Sequence, residues 1–218
     1  MSLLLDIENG LICPETNTQF TPRERCWVQR APEERPPTGS PLSLKDAVRW
    51  LQAESGHPCR IPVAVIGGRE ATDVQLHTAQ AMGNLLGQMG LTLICGGRQG
   101  IMEAACKGSA MAGGISVGIL PDADPTLANP YVTVPIATGI GVARNAPVAQ
   151  SALCLIAIGG GHGTPPELAF GLQFEKQVFG LVDPPDIKGV VSCASPEQAA
   201  DHVARVVLGL TPDAPAEK

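Results

Sequence analysis

From Ile61 onward, short unbroken apolar runs alternate with stretches whose apolar residues recur at helical spacing. The runs predict strands over Ile61 to Ile66, Leu91 to Cys95, Ile115 to Leu120, Tyr131 to Val134, Leu153 to Ile158 and Val178 to Val182, with another at Val190. Between them the periodicity predicts helices over Val74 to Met89, Ile101 to Ala112, Pro165 to Glu175 and Pro196 to Leu208, and a short helix after Arg144. Continuous apolar strands separated by helices make a parallel sheet covered on both faces. The expected fold class is therefore α/β: a Rossmann-like, doubly wound parallel sheet over residues 61–218, with an N-terminal extension. In such sheets ligands bind beyond the carboxyl ends of the strands.

Residues 1–60 have a different texture, rich in proline and holding both tryptophans. Leu3 to Ile12 fits a hairpin turning at Asn9-Gly10, since both positions of a two-residue turn favour positive φ. The polar run from Arg30 to Ser40 reads as an exposed linker. Ser43 to Glu54 reads as a docking helix, with Ser43 as N-cap, Leu44, Val48 and Leu51 at helical spacing, and a stop at Gly56.

Three strands run directly into glycine: VAVIGGRE at 63–70, LICGGRQGIME at 93–103 and IAIGGGHGTPPE at 156–167. Glycine lets the backbone turn sharply and approach a ligand, and the helix that follows offers free N–H groups to an anion. Three such loops at one sheet edge point to a phosphate or nucleotide pocket built on Gly67, Gly68, Gly96, Gly97, Arg98, Gly100, Gly159, Gly160, Gly161 and Gly163. In the third loop Pro165 and Pro166 supply no N–H, so donors come from the backbone of Gly160 to Thr164 and from the Thr164 hydroxyl. Glu167 has two readings: it closes a Thr-Pro-Pro-Glu capping box on Thr164, or it faces the pocket as a hydroxyl acceptor or general base. Arg144 follows a glycine-bearing stretch on the same side of the sheet, within reach of a phosphate.

The 218 residues are 44% hydrophobic but only 3% aromatic, with a formal net charge of −6. A nucleic-acid surface needs clustered cations and stacking rings, so no nucleic-acid partner is expected and a small phosphorylated molecule is. Seven cysteines without a C-x-x-C pair suggest no disulfide framework, no metal site and a cytoplasmic protein. No apolar stretch approaches membrane-spanning length. The apolar run Leu168 to Phe179 predicts a homodimer or homotetramer. Gly-Ile-Ser-Val-Gly at 114–118 spells a nucleophile elbow but falls inside a strand pattern. A dinucleotide fingerprint starting at Gly161 fails at Pro166, and His162 reads as a backbone position.

Residues 61–182, and above all Leu91 to Pro121 and Ile156 to Glu167, resemble the LOG family, and within it the molybdenum cofactor carrier branch. LOG enzymes carry G-G-x-G-T-x-x-E and an Arg in M-x-x-R-K, and cleave the base from nucleoside 5′-monophosphates. By that resemblance Glu167 is the catalytic carboxylate and Arg144 its partner, if the chain is an enzyme. Gly159, where LOG enzymes have proline, and Asn145, where they have lysine, are similar instead to the carrier pattern, as is Gly100 to Ala105. Pro165 and Pro166 depart from both. Two functions follow from the resemblance: a carrier or sensor with the molybdenum cofactor as cargo and no other cofactor required, or a phosphoribohydrolase acting on a substrate such as AMP.

Overall fold

The computed structural model describes residues 2–6, 9–31, 35–57, 60–160 and 164–210. The N-terminal part forms a five-stranded antiparallel sheet from β1 (Leu3–Asp6), β2 (Gly10–Cys13), β3 (Thr18–Thr21), β4 (Cys26–Gln29) and β5 (Gly39–Leu42), in the order β4-β3-β2-β1-β5. The expected hairpin is present, but Asp6 pairs with Gly10. Gly10 therefore opens the second strand instead of completing a two-residue turn. The expected linker is also partly strand. Gly39 to Leu42 pairs along β1, and the Thr38 N–H donates to the Asp6 carboxylate at 3.1 Å, so a β1 edge that would stand open is covered.

Helix α1 (Leu44–Ala53) starts at Ser43, whose hydroxyl accepts from the Asp46 N–H, as the sequence implies. The main domain follows as β6 (Pro62–Gly67), α2 (Asp73–Gln88), β7 (Thr92–Cys95), α3 (Ile101–Met111), β8 (Ser116–Leu120), β9 (Val134–Ala137), a 3-10 turn (Gly141–Arg144), α4 (Asn145–Ser151), β10 (Cys154–Ile158), α5 (Thr164–Gln173), β11 (Gln177–Leu181), β12 (Val190–Ser192) and α6 (Pro196–Val207). Its seven strands are parallel, in the order β12-β11-β10-β6-β7-β8-β9.

Period-2 alternation divides the core. Val63 and Val65 of β6 and Ile156 and Ile158 of β10 face α1, α2, α3 and α6, while Ala64, Ile66, Leu155 and Ala157 face α4 and α5. Both faces are buried, which is why these strands read as unbroken apolar runs. Leu3, Leu11 and Phe20 of the N-terminal sheet join the first of these cores.

Two expectations shift. The fourth strand of this domain lies at Val134 to Ala137 instead of Tyr131 to Val134, because side-chain bonds hold the preceding segment: Ser116 Oγ donates to the Tyr131 carbonyl, and Asn129 Oδ1 accepts the Tyr131 N–H. Leu168 to Phe179 is not one helical face either, since α5 ends at Gln173 and Phe179 is buried in β11. Among the described residues no helix is long and apolar enough to cross a membrane.

Candidate functional site

Strands β6 and β10 lie side by side, with Ile158 opposite Gly67, yet the chain leaves them in opposite directions, towards β7 from one and towards β11 from the other. Diverging connections open a crevice beyond the strand ends, the place where open α/β sheets bind ligands. A cavity of about 490 Å³ lies there. Gly67, Gly68, Arg69 and Glu70 come from the end of β6, Met102 from α3, Pro121 from the end of β8, Gly141, Val142, Arg144 and Asn145 from the 3-10 turn and α4, and Glu167 from α5.

Two glycines make this construction possible by lacking a side chain. A Cβ on Gly67 would stand 2.7 Å from both Ile101 Cγ2 and the Ile158 carbonyl, so α3 can press on the end of β6 only over bare backbone. A Cβ on Gly96 would fall 2.3 to 2.4 Å from three atoms of the Arg144 guanidinium. Gly96 thus gives Arg144 its bed without bordering the cavity.

Arg144 Nη1 donates to Glu167 Oε1 at 2.8 Å, with the two side chains 11% and 6% exposed. Burial is the largest influence on the Glu167 carboxyl and pushes its pKa up, while the charge and hydrogen bond of Arg144 pull it down; the net direction is upward. Arg144 Nε is buried without a hydrogen-bond partner among the described residues.

Of the residues named from sequence, Gly67, Gly68, Arg144, Asn145 and Glu167 meet at the cavity. Gly97 (φ +68°) packs on Leu120 and Gly118, and Gly100 (φ +73°) lies beneath the Arg69 carbonyl, so both shape the loop from behind. Arg98 points elsewhere: its Nη1 donates to the Leu127 carbonyl at 2.9 Å and lies 3.3 Å from Asp122 Oδ2. Gly159 packs against Gln75 and Gly160 against Pro185, while Gly161, His162 and Gly163 lie outside the described residues. Thr164 is buried at the start of α5, and Glu167, whose Oε1 is engaged by Arg144, borders the crevice.

Sequence reasoning missed Arg69, Glu70, Met102, Pro121, Gly141 and Val142. The signal for Arg69 was present, since Gly67-Gly68-Arg69 repeats the Gly96-Gly97-Arg98 pattern from which Arg98 was selected. Among the described residues no group of three or more His, Cys, Asp or Glu side chains could hold a metal ion.

Comparison with known proteins agrees with this fold. The model of the SLOG cluster4 family matches residues 60–209. An uncharacterised protein of Archaeoglobus fulgidus is 38% identical over 140 residues, 64% of this chain and 92% of that one. The molybdenum cofactor binding protein of the phototrophic bacterium Rippkaea orientalis superposes with a TM-score of 0.66 at 31% identity, over 69% of this chain and 99% of its own. The molybdenum cofactor carrier protein of Chlamydomonas reinhardtii gives 0.63 at 32% identity, over 68% and 99%. The family match takes in the parallel sheet, the glycine loops and the Arg144–Glu167 pair, and by it the chain belongs to the SLOG cluster4 family.

Proposed function

We propose that this chain is a carrier or sensor that holds a phosphorylated small molecule in the crevice between β6 and β10, and that the molecule is the molybdenum cofactor. The observation that carries the reading is the likeness, at 31–32% identity and across 99% of their length, to two proteins described as binding or carrying that cofactor. Asn145 and Gly159 support it, since both stand where the carrier pattern differs from the hydrolase pattern. A cytoplasmic location suits the cysteines: Cys13, Cys26, Cys95, Cys106, Cys154 and Cys193 are free thiols.

One observation favours a second reading, a phosphoribohydrolase. The raised pKa of the buried Glu167 carboxyl suits a general acid or base. A single preparation separates the two. Incubated with AMP, the wild-type chain should release no adenine above the buffer background, while a phosphorylated pterin should raise its Tm and duplex DNA should not. A ligand at 100 times its Kd adds about 2.7 kcal/mol, well within reach of a thermal shift. Adenine release that Glu167→Gln abolishes would replace the carrier with the hydrolase, and stabilisation by DNA alone would overturn both.

A further inference from the structure

The crevice has a neighbour. A second cavity, of about 440 Å³, lies between α2 and α3, bordered by Leu76 and His77 on one side and Ala104 and Lys107 on the other, and also by Tyr131. Arg69 borders both cavities. The start of α3 forms the partition, since Met102 faces the crevice and the next residue, Glu103, faces the second cavity.

The backbone that carries Arg69 is fixed while its side chain is not. A Cβ on Gly100 would stand 2.3 Å from the Arg69 carbonyl and 2.5 Å from that of Gly68, and the Ile101 N–H donates to the Gly68 carbonyl at 3.1 Å. The loop is thus clamped to α3. The other arginines of the glycine loops and the crevice are engaged, Arg144 by Glu167 and Arg98 by Asp122 and Leu127. The Arg69 side chain is exposed and makes no hydrogen bond or ion pair among the described residues. An uncommitted guanidinium on a fixed backbone, with a hollow on either side, is placed to grip an anionic group in the middle of a ligand and not at its end.

The walls specify the arms. Each cavity is of a size that accommodates a small-molecule group. The second one is bordered by Asp73 and Glu103 as well as Lys107, so a terminal phosphate there would meet two carboxylates beside that lysine. A neutral arm with hydroxyls suits them, because carboxylates accept hydrogen bonds from sugar hydroxyls, and Tyr131, Leu76 and Ala104 offer a ring and aliphatic surface for a base. We propose that Arg69 grips the pyrophosphate link of a dinucleotide-type ligand, one arm of which enters the Glu167 crevice while the other, a nucleoside, enters the cavity between α2 and α3. The proposal rests on the reading of the crevice as a phosphorylated-ligand site and extends it to a ligand with two arms.

The test compares ADP with diadenosine pyrophosphate, which share the pyrophosphate and differ in the second nucleoside, by isothermal titration. The wild-type chain should bind diadenosine pyrophosphate about 10-fold or more tightly than ADP. Arg69→Ala should weaken both by about 10-fold or more, the usual loss for a hydrogen bond to a charged group, and Arg69→Lys should restore part of it. Ala104→Phe, which fills the second cavity, should bring the ratio of the two constants close to one. Arg69 is exposed, so its variants test the grip even if Ala104→Phe fails to fold. Equal wild-type affinities, no binding of diadenosine pyrophosphate, or affinities indifferent to Arg69→Ala would each overturn the inference. If a phosphorylated pterin still binds in that case, the crevice reading survives alone; if neither it nor the adenine compounds bind, both fall.

Discussion

Glu167 shows how one position reports on the whole crevice. Its carboxyl would titrate near 4.5 in an open chain, but burial raises that value in the folded protein by more than Arg144 lowers it. Just above 4.5, therefore, the folded chain holds a proton that the unfolded chain has lost. Stability from the protonated form is complete below 4.5 and is lost as pH rises through the folded value. Glu167→Gln mimics the neutral form and cannot titrate. The Tm of the parent minus that of Glu167→Gln should accordingly fall as pH is raised from 4 to 8, since every other titrating group is common to both. A difference that is flat or rises with pH would show that Arg144, not burial, governs this carboxyl. Arg144 and Glu167 were legible in sequence because their neighbours form motifs. Arg69 carries the same Gly-Gly-Arg signal as Arg98, but what sets it apart is its place between two cavities that only the folded loop creates.

At the scale of elements, α2 and α3 meet backbone to backbone. A Cβ on Gly83 would lie 2.0 Å from the Ala105 carbonyl, and one on Gly108 would lie 1.9 Å from the Gln80 carbonyl. Glycine within a helix costs roughly 1 kcal/mol relative to alanine, and here the close crossing offsets it. Gly108→Ala should therefore destabilise the chain by about 1–3 kcal/mol in urea titrations despite its better helix propensity, because the two backbones must separate. A gain in stability would mean that the crossing relaxes easily. The same contrast explains which elements could be read from sequence. β6 and β10 are covered on both faces and leave plain apolar runs, whereas β3, β4 and β5 have exposed or half-buried positions almost throughout and leave no such pattern. β9 was misplaced for a related reason: it is an edge strand with Pro135 inside it, and its Val134 and Ile136 are exposed, so nothing separates it in hydropathy from the segment before it.

Across the whole molecule the N-terminal sheet is seated on the main domain and not tethered loosely to it. Trp27 Nε1 donates to the Leu208 carbonyl at 2.7 Å, and the buried Gln52 Oε1 accepts the Ile61 N–H at 2.9 Å, so the extension covers α6 and the entry to β6. At the far edge of the parallel sheet, among the described residues, β9 has β8 as its one strand neighbour, and Val134 and Ile136 are 44% and 45% exposed, with Ile140 at 50% and Val142 at 84% nearby. An apolar edge strand of this kind recruits a partner or aggregates. Val142 also borders the crevice, so a second copy docked here would reach its mouth. The oligomer expected from Leu168 to Phe179 thus has a better basis at β9, and we propose a homodimer, or a tetramer built of such dimers, joined through this edge. Light scattering at micromolar concentration should give at least twice the 22.6 kDa chain mass, and Ile136→Lys, which sets a charge in the middle of the edge, should halve the mass observed. A wild-type chain that scatters as a monomer would refute the assembly, whereas an oligomer indifferent to Ile136→Lys would move the interface away from β9.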